Sequence, residues 1–159
     1  GGLVGGLLAI GGWDGHSNVG SMERYEAGSH RWVGAPGMRT PRRGLAAACH
    51  GGSVYVVGGF DGSGYLSSME VFDAERGVWR EAPPMAARRC FAGAAFAGGL
   101  LYVVGGYCEA TNLACGEVFD PARQAWSPLP PMRTARRGLG LASAGGRLYA
   151  VGGWDGSKN

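Results

Sequence analysis

The chain has 159 residues, 32 of them glycine, and a net charge of +3 set by 14 arginines and one lysine against 12 acidic residues. Glycines that sit at fixed phases between apolar runs exclude a collagen-like or low-complexity chain, and so weak a positive balance does not argue for nucleic acid. The first element is the run Leu3 to Ile10, which is interrupted by glycines, too short to span a bilayer and without a basic leader, so neither a membrane segment nor a signal peptide is predicted.

That run ends at Gly11-Gly12, and the same pair closes apolar runs at Gly58-Gly59, Gly105-Gly106 and Gly152-Gly153, always 47 residues apart. Other columns keep phase with it: Tyr25, Phe72 and Phe119; Trp32, Trp79 and Trp126; Met38, Met85 and Met132; Arg42, Arg89 and Arg136; Tyr55, Tyr102 and Tyr149. A fixed period of this size marks a repeat protein. The repeats run over about 1–43, 44–90 and 91–137, and a fourth begins at 138–159.

The second period shows the elements most clearly. Leu45 to Cys49 is a small-residue run, and His50-Gly51-Gly52 turns the chain into Ser53 to Val57, a β-branched and aromatic strand. Gly58-Gly59 permits positive φ or a close approach, and Asp61-Gly62 to Gly64 is turn chemistry. Ser68 to Asp73 alternates, with Met69, Val71 and Asp73 on one face and Ser68, Glu70 and Phe72 on the other. After the turn to Gly77, Val78 to Glu81 is a fourth strand, and Pro83-Pro84 stops it. No stretch reads as helix. Four short antiparallel strands per period predict an all-β protein built of propeller blades, about three of them, with Phe72 and Trp79 buried between neighbours.

The Gly pair after an apolar strand, the Tyr/Phe column and the Trp at fixed offset resemble the kelch repeat. Gly58 to Gly62, Ser68 to Asp73, Trp79, Met85 and Arg88-Arg89 are similar to the kelch domains of BTB–kelch adaptors, which hold substrates for cullin-based ubiquitin ligases. That resemblance implies a protein-interaction module whose partner docks on one rim, made by the loop after each Gly pair and the segment entering each innermost strand. It also implies that Arg42 and Arg43, Arg89 and Cys90, and Arg136 and Arg137 face the central opening. The chain departs from the pattern at Tyr107 to Thr111, which lacks the Asp-Gly turn. Its blade number is below that of a closed ring, so the chain is expected either to be a piece of a longer protein or to self-associate to complete the propeller.

Eight of the arginines fall in the segments entering the innermost strands, and residues 35–44, 82–91 and 129–138 hold no acidic residue. Guanidinium groups pair carboxylates in forked geometry, so these segments point to an acidic peptide as partner. Trp13, Phe60, Tyr107 and Trp154 follow the Gly pairs, and aromatics beside arginines are the composition of a binding hot spot. The partner-binding set is therefore Trp13, Arg42, Arg43, Phe60, Arg89, Tyr107, Arg136, Arg137 and Trp154. Two structural alternatives stay open: Arg42, Arg89 and Arg136 can brace blades against the repeated Glu23, Glu70 and Glu117, and the aromatics can cap blade ends. Arg43 and Arg137 are the better functional candidates, because the middle period has Cys90 there.

An actin-binding or other scaffold role belongs to the same physical class. An enzyme is not expected: His16, His30 and His50 occupy different phases, and no triad or paired carboxylate stands out. Cys49, Cys90, Cys108 and Cys115 lack metal-ligand spacing, so no metal or cofactor is predicted. Cys108 and Cys115 bracket one loop, either as a bridge or as free thiols. On the free-thiol reading, and with no signal peptide predicted, the expected compartment is the cytoplasm or nucleus.

Overall fold

The computed structural model describes residues 6–157, so Leu3 to Gly5 of the opening run and Lys158 lie outside it. No described residue is helical. The first sheet is formed by β1 (Leu7–Trp13), β2 (Asn18–Glu26) and β3 (Arg31–Ala35). The second, in spatial order, is β4 (Ala46–His50), β5 (Ser53–Val57), β6 (Met69–Asp73) and β7 (Val78–Ala82). The third period adds β8 (Gly93–Ala97), β9 (Leu100–Val104), a small hairpin of β10 (Tyr107–Cys108) and β11 (Thr111–Asn112), then β12 (Gly116–Asp120) and β13 (Ala125–Leu129). Its main sheet runs β8-β9-β12-β13, and β14 (Gly140–Ala144) pairs with β15 (Arg147–Val151) as the start of the next blade. All pairings are antiparallel. The fold is the expected one: kelch-like blades of four short strands, part of a propeller. The first strands β4, β8 and β14 lie side by side, so they form the inner edge of the arc.

Stacking buries what a single small sheet cannot. Between the first two blades lie Met22, Met38, Val54, Val56, Phe72 and Trp79. Tyr55, Val57, Met69, Val71 and Met85 meet Leu101, Val103 and Phe119 at the next joint. The alternation along β6 sorts these faces, since Met69 and Val71 go to one joint and Phe72 to the other. The two aromatic columns are direct cross-strand partners: Phe72 opposes Trp79 and Phe119 opposes Trp126, with ring centroids 5.2 and 5.1 Å apart. Each indole also reaches the blade before it. Trp79 Nε1 donates to the Pro36 carbonyl at 2.6 Å, and Trp126 Nε1 to that of Pro83 at 2.7 Å. Trp32, in the same column, is 45% exposed at the outer face of the first blade.

Close approach explains the Gly pair. A Cβ on Gly58 would run into the carbonyl oxygen of Arg89 from the following blade, and Gly58 and Gly59 both hold positive φ (66° and 103°). Gly59 N–H donates to that same oxygen at 2.8 Å. The loop without Asp-Gly folds instead as the β10–β11 hairpin, whose turn residues Glu109 and Ala110 take φ of 46° and 66°. Cys108 and Cys115 are free thiols, which settles that alternative against a bridge.

Candidate functional site: the arginine–aromatic rim

Two adjacent arginine columns enter each innermost strand, and the extended backbone there sends neighbouring side chains in opposite directions. Arg42 and Arg89 point inward. They are 0% and 1% exposed, and they pair with Glu70 at 2.7 Å and Glu117 at 3.1 Å on the third strand of the blade they lead into. Arg42 Nη1 also donates to the carbonyls of Gly58 (2.9 Å) and Ser68 (3.2 Å), while Arg89 Nη1 donates to those of Gly105 (2.9 Å) and Cys115 (3.0 Å). Each glutamate in turn accepts two backbone amides of the entering segment: Arg39 and Thr40 on Glu70, Ala86 and Ala87 on Glu117. Burial pulls the Arg42 guanidinium below its usual range, and the Glu70 carboxylate works against that shift.

The carbonyls of Arg42, Arg89 and Arg136 accept the amides of Gly12, Gly59 and Gly106 on the preceding blade, each at 2.8 Å. This column is therefore an inter-blade clamp. The expectation that Arg42 and Arg89 face a partner is corrected: their charges are consumed inside the fold. Arg136 is half-buried and keeps the bond from Nη1 to the next strand's carbonyl, at Gly152 (2.9 Å). Glu23, expected to share in the bracing, is exposed.

The next column points outward. Arg43 and Phe60 exchange two backbone hydrogen bonds of 2.9 and 3.0 Å, Cys90 and Tyr107 bonds of 2.8 and 3.0 Å, and Arg137 and Trp154 bonds of 2.8 and 3.1 Å. These bridges pin Phe60, Tyr107 and Trp154 beside the second position of the segment that enters the same blade. The Arg43 guanidinium lies between two rings, 5.0 Å from the Trp13 centroid and 4.9 Å from that of Phe60. That of Arg137 lies 4.4 Å from the Tyr107 centroid. Such stacking holds a guanidinium in place while leaving its in-plane N–H donors free for a ligand.

At Cys90 no arginine is available, and Tyr65 occupies the gap. Its ring sits 5.4 Å from Phe60 and 5.9 Å from Tyr107. The result is one continuous ladder, Trp13–Arg43–Phe60–Tyr65–Tyr107–Arg137, across three blades. The Cys90 thiol beneath it is 2% exposed, and burial, followed by the Cys108 thiol, pushes its pKa up to about 11. Such a thiol is inert near neutral pH.

The family models for the Kelch motif match residues 41–86, 88–133 and 135–159. The chain is a kelch-repeat protein. Kelch repeats build β-propellers and generally mediate binding to other proteins. Among solved structures, 167 chains match; one, titled "Structure of YjhT", superimposes with a TM-score of 0.80 at 12% identity, over 88% of this chain and 47% of that one. This kelch chain thus spans about half the length of that structure, and the likeness is one of fold. No curated protein sequence matches it.

Within the kelch frame, the structure gathers Trp13, Arg43, Phe60, Tyr107 and Arg137 into one surface, with Trp154 bridged to its end. It removes Arg42 and Arg89 from that surface. The aspartates of the Asp-Gly loops serve their turns: Asp61 Oδ1 accepts the amides of Ser63 (2.8 Å) and Gly64 (2.9 Å) and the Ser63 hydroxyl (2.7 Å). Tyr65 is the ladder member that sequence reasoning missed. A signal existed, since its column holds Asn18 and Asn112 in the other periods and Cys90 breaks the arginine column in the same blade pair.

Proposed function

We propose that this kelch-repeat chain is a non-enzymatic recognition module whose rim ladder holds an acidic segment of a partner protein. The observation that carries this reading is the pair of outward arginines, Arg43 and Arg137, each stacked on aromatic rings and each in a segment free of acidic residues. Their guanidinium edges can take carboxylates in charge-assisted hydrogen bonds, and the rings beside them exclude water from those contacts. The likeness of Gly58 to Gly62 and Ser68 to Asp73 to BTB–kelch adaptors supports a place in a cullin-type ubiquitin ligase of the cytoplasm or nucleus, where the bound protein is the one selected for ubiquitination.

The test is a titration of the chain with a labelled oligoglutamate peptide, read by fluorescence anisotropy. The double variant R43A/R137A should lose at least about 10-fold in affinity, since hydrogen bonds to charged groups contribute about 1.5–3 kcal/mol each. Its thermal midpoint should stay at the wild-type value. Unchanged affinity in the folded double variant sinks the rim reading. Stoichiometric metal in the purified chain would sink its non-enzymatic part, and failure of the parent protein to co-purify with a cullin would sink the ligase context.

A further inference from the structure

Phe91 interrupts a column of glycines. Its counterparts one period away are Gly44 and Gly138, and all three residues take left-handed backbone, with φ of 58°, 55° and 65° in chain order. Glycine accepts that conformation freely, whereas a phenylalanine there is strained. The fold imposes it. Phe91 N–H donates to the Gly44 carbonyl at 2.6 Å, and the Phe91 carbonyl accepts the Gly138 N–H at 2.7 Å, so these residues form a belt joining three blades. Two of its three positions show that glycine meets the demands of the belt. The side chain of Phe91 therefore needs another explanation, and burial is not it, because the residue is 46% exposed.

The ring lies against Gly44, where an added Cβ would come within 2.9 Å of it. It also lines an open concavity of about 640 Å³ together with Tyr107, Arg137, Gly138, Gly153 and Trp154. Three aromatic rings, two bare glycine backbones and one guanidinium make up that wall. A concavity of about 600 Å³ beside Trp13 differs in chemistry: it sets the Asp61 carboxylate against the Arg39 guanidinium, so its charges offset, and Trp13 is its one aromatic ring. Strain retained at an exposed position next to a concave site is the signature of a functional residue, with the inference running from the outlier to the role.

We propose that this concavity is the specificity subsite of the rim: it takes an aromatic side chain of the partner peptide, whose flanking carboxylate pairs with Arg137. This rests on the acidic-peptide reading above and adds to it a requirement that arginines alone do not create. Replacement of the column's arginine by buried Cys90 fits the same role, because it leaves this blade's part of the rim aromatic and uncharged.

Two peptides test it: oligoglutamate, and the same peptide with one central phenylalanine. Wild-type chain should prefer the phenylalanine peptide by about 10-fold, as expected for burying one large apolar side chain. In Phe91→Gly, which removes both ring and strain, the ratio of the two affinities should fall to about one while the thermal midpoint holds or rises. Phe91→Asn, whose side chain tolerates left-handed backbone, should give the same ratio. A wild-type ratio near one, a preference that survives in either variant, or a lowered midpoint in Phe91→Gly would overturn the subsite. Oligoglutamate binding without a phenylalanine preference overturns the subsite alone; binding of neither peptide overturns the rim reading with it.

Discussion

Arg42 and Arg43 are neighbours in the chain and opposites in role. The first is sealed into a joint with Glu70, the second stands on the surface between Trp13 and Phe60. One period on, Arg89 keeps the buried role and its neighbour becomes Cys90. The clamp column repeats because the joints at Arg42 and Arg89 pose the same problem: two carbonyls, two amides and a carboxylate must be satisfied out of water. The rim column is free to vary because no joint depends on it, and that freedom is where recognition can be written.

The largest effects should therefore follow from breaking a clamp. Glu70→Ala leaves a fully buried guanidinium without its carboxylate and strips the Arg39 and Thr40 amides of their acceptor. Removing one partner of a buried ion pair costs about 3–5 kcal/mol, whereas Arg43→Ala should stay within about 0.5 kcal/mol of wild type. Urea denaturation of the two variants separates the columns directly. Equal midpoints would mean that Arg42 is not the buried member of the pair.

A second contrast lies within one column. Trp79 is 7% exposed and bonded to Pro36 of the neighbouring blade, while Trp32 is 45% exposed. Trp79→Ala should cost about 3 kcal/mol through the cavity left at the joint, and Trp32→Ala about 1 kcal/mol or less. The same urea titrations measure both, and a Trp32→Ala cost equal to that of Trp79→Ala would break the link between column and joint. The rim variants R43A/R137A and Phe91→Gly come next in this order, with effects on binding rather than folding.

The blades were legible in the sequence because their signals are periodic: strand alternation, turn glycines and the aromatic columns all recur at 47 residues, and burial between blades follows from alternation alone. Periodicity is also what hid the division of labour at the site. A repeated Arg42, Arg89 and Arg136 is what both a brace and a ring of binding groups predict, and only side-chain direction distinguishes them. Tyr65 and Phe91 went unread for the converse reason, since each is a single departure whose meaning depends on backbone geometry. For Phe91 the decisive fact is a positive φ, which one residue letter does not carry. For Tyr65 it is proximity to Phe60 and Tyr107 across two loops.

The smallest expected effect sharpens the same contrast between joint and rim from the side of pH. The Asp61 carboxyl is held below its usual range by the Ser63 hydroxyl and by the amides of Ser63 and Gly64, and that of Asp14 by the amides of Ser17 and His16. A carboxylate with a depressed folded-state pKa stabilises its loop above the unfolded value of 3.8 and loses that contribution as pH falls through the folded value. Asp14 is exposed and Asp61 half-buried, both in surface loops, so the loss should loosen the rim loops without melting the joints. Hydrogen exchange followed from pH 6 down to about pH 3, corrected for the intrinsic pH dependence of amide exchange, should show falling protection at Ser63, Gly64 and Ser17. Protection in β5 and β6, where Val54, Val56, Met69 and Val71 are buried, should hold over that range. Loss of both together would mean that the Asp-Gly loops and the blade joints unfold as one cooperative unit.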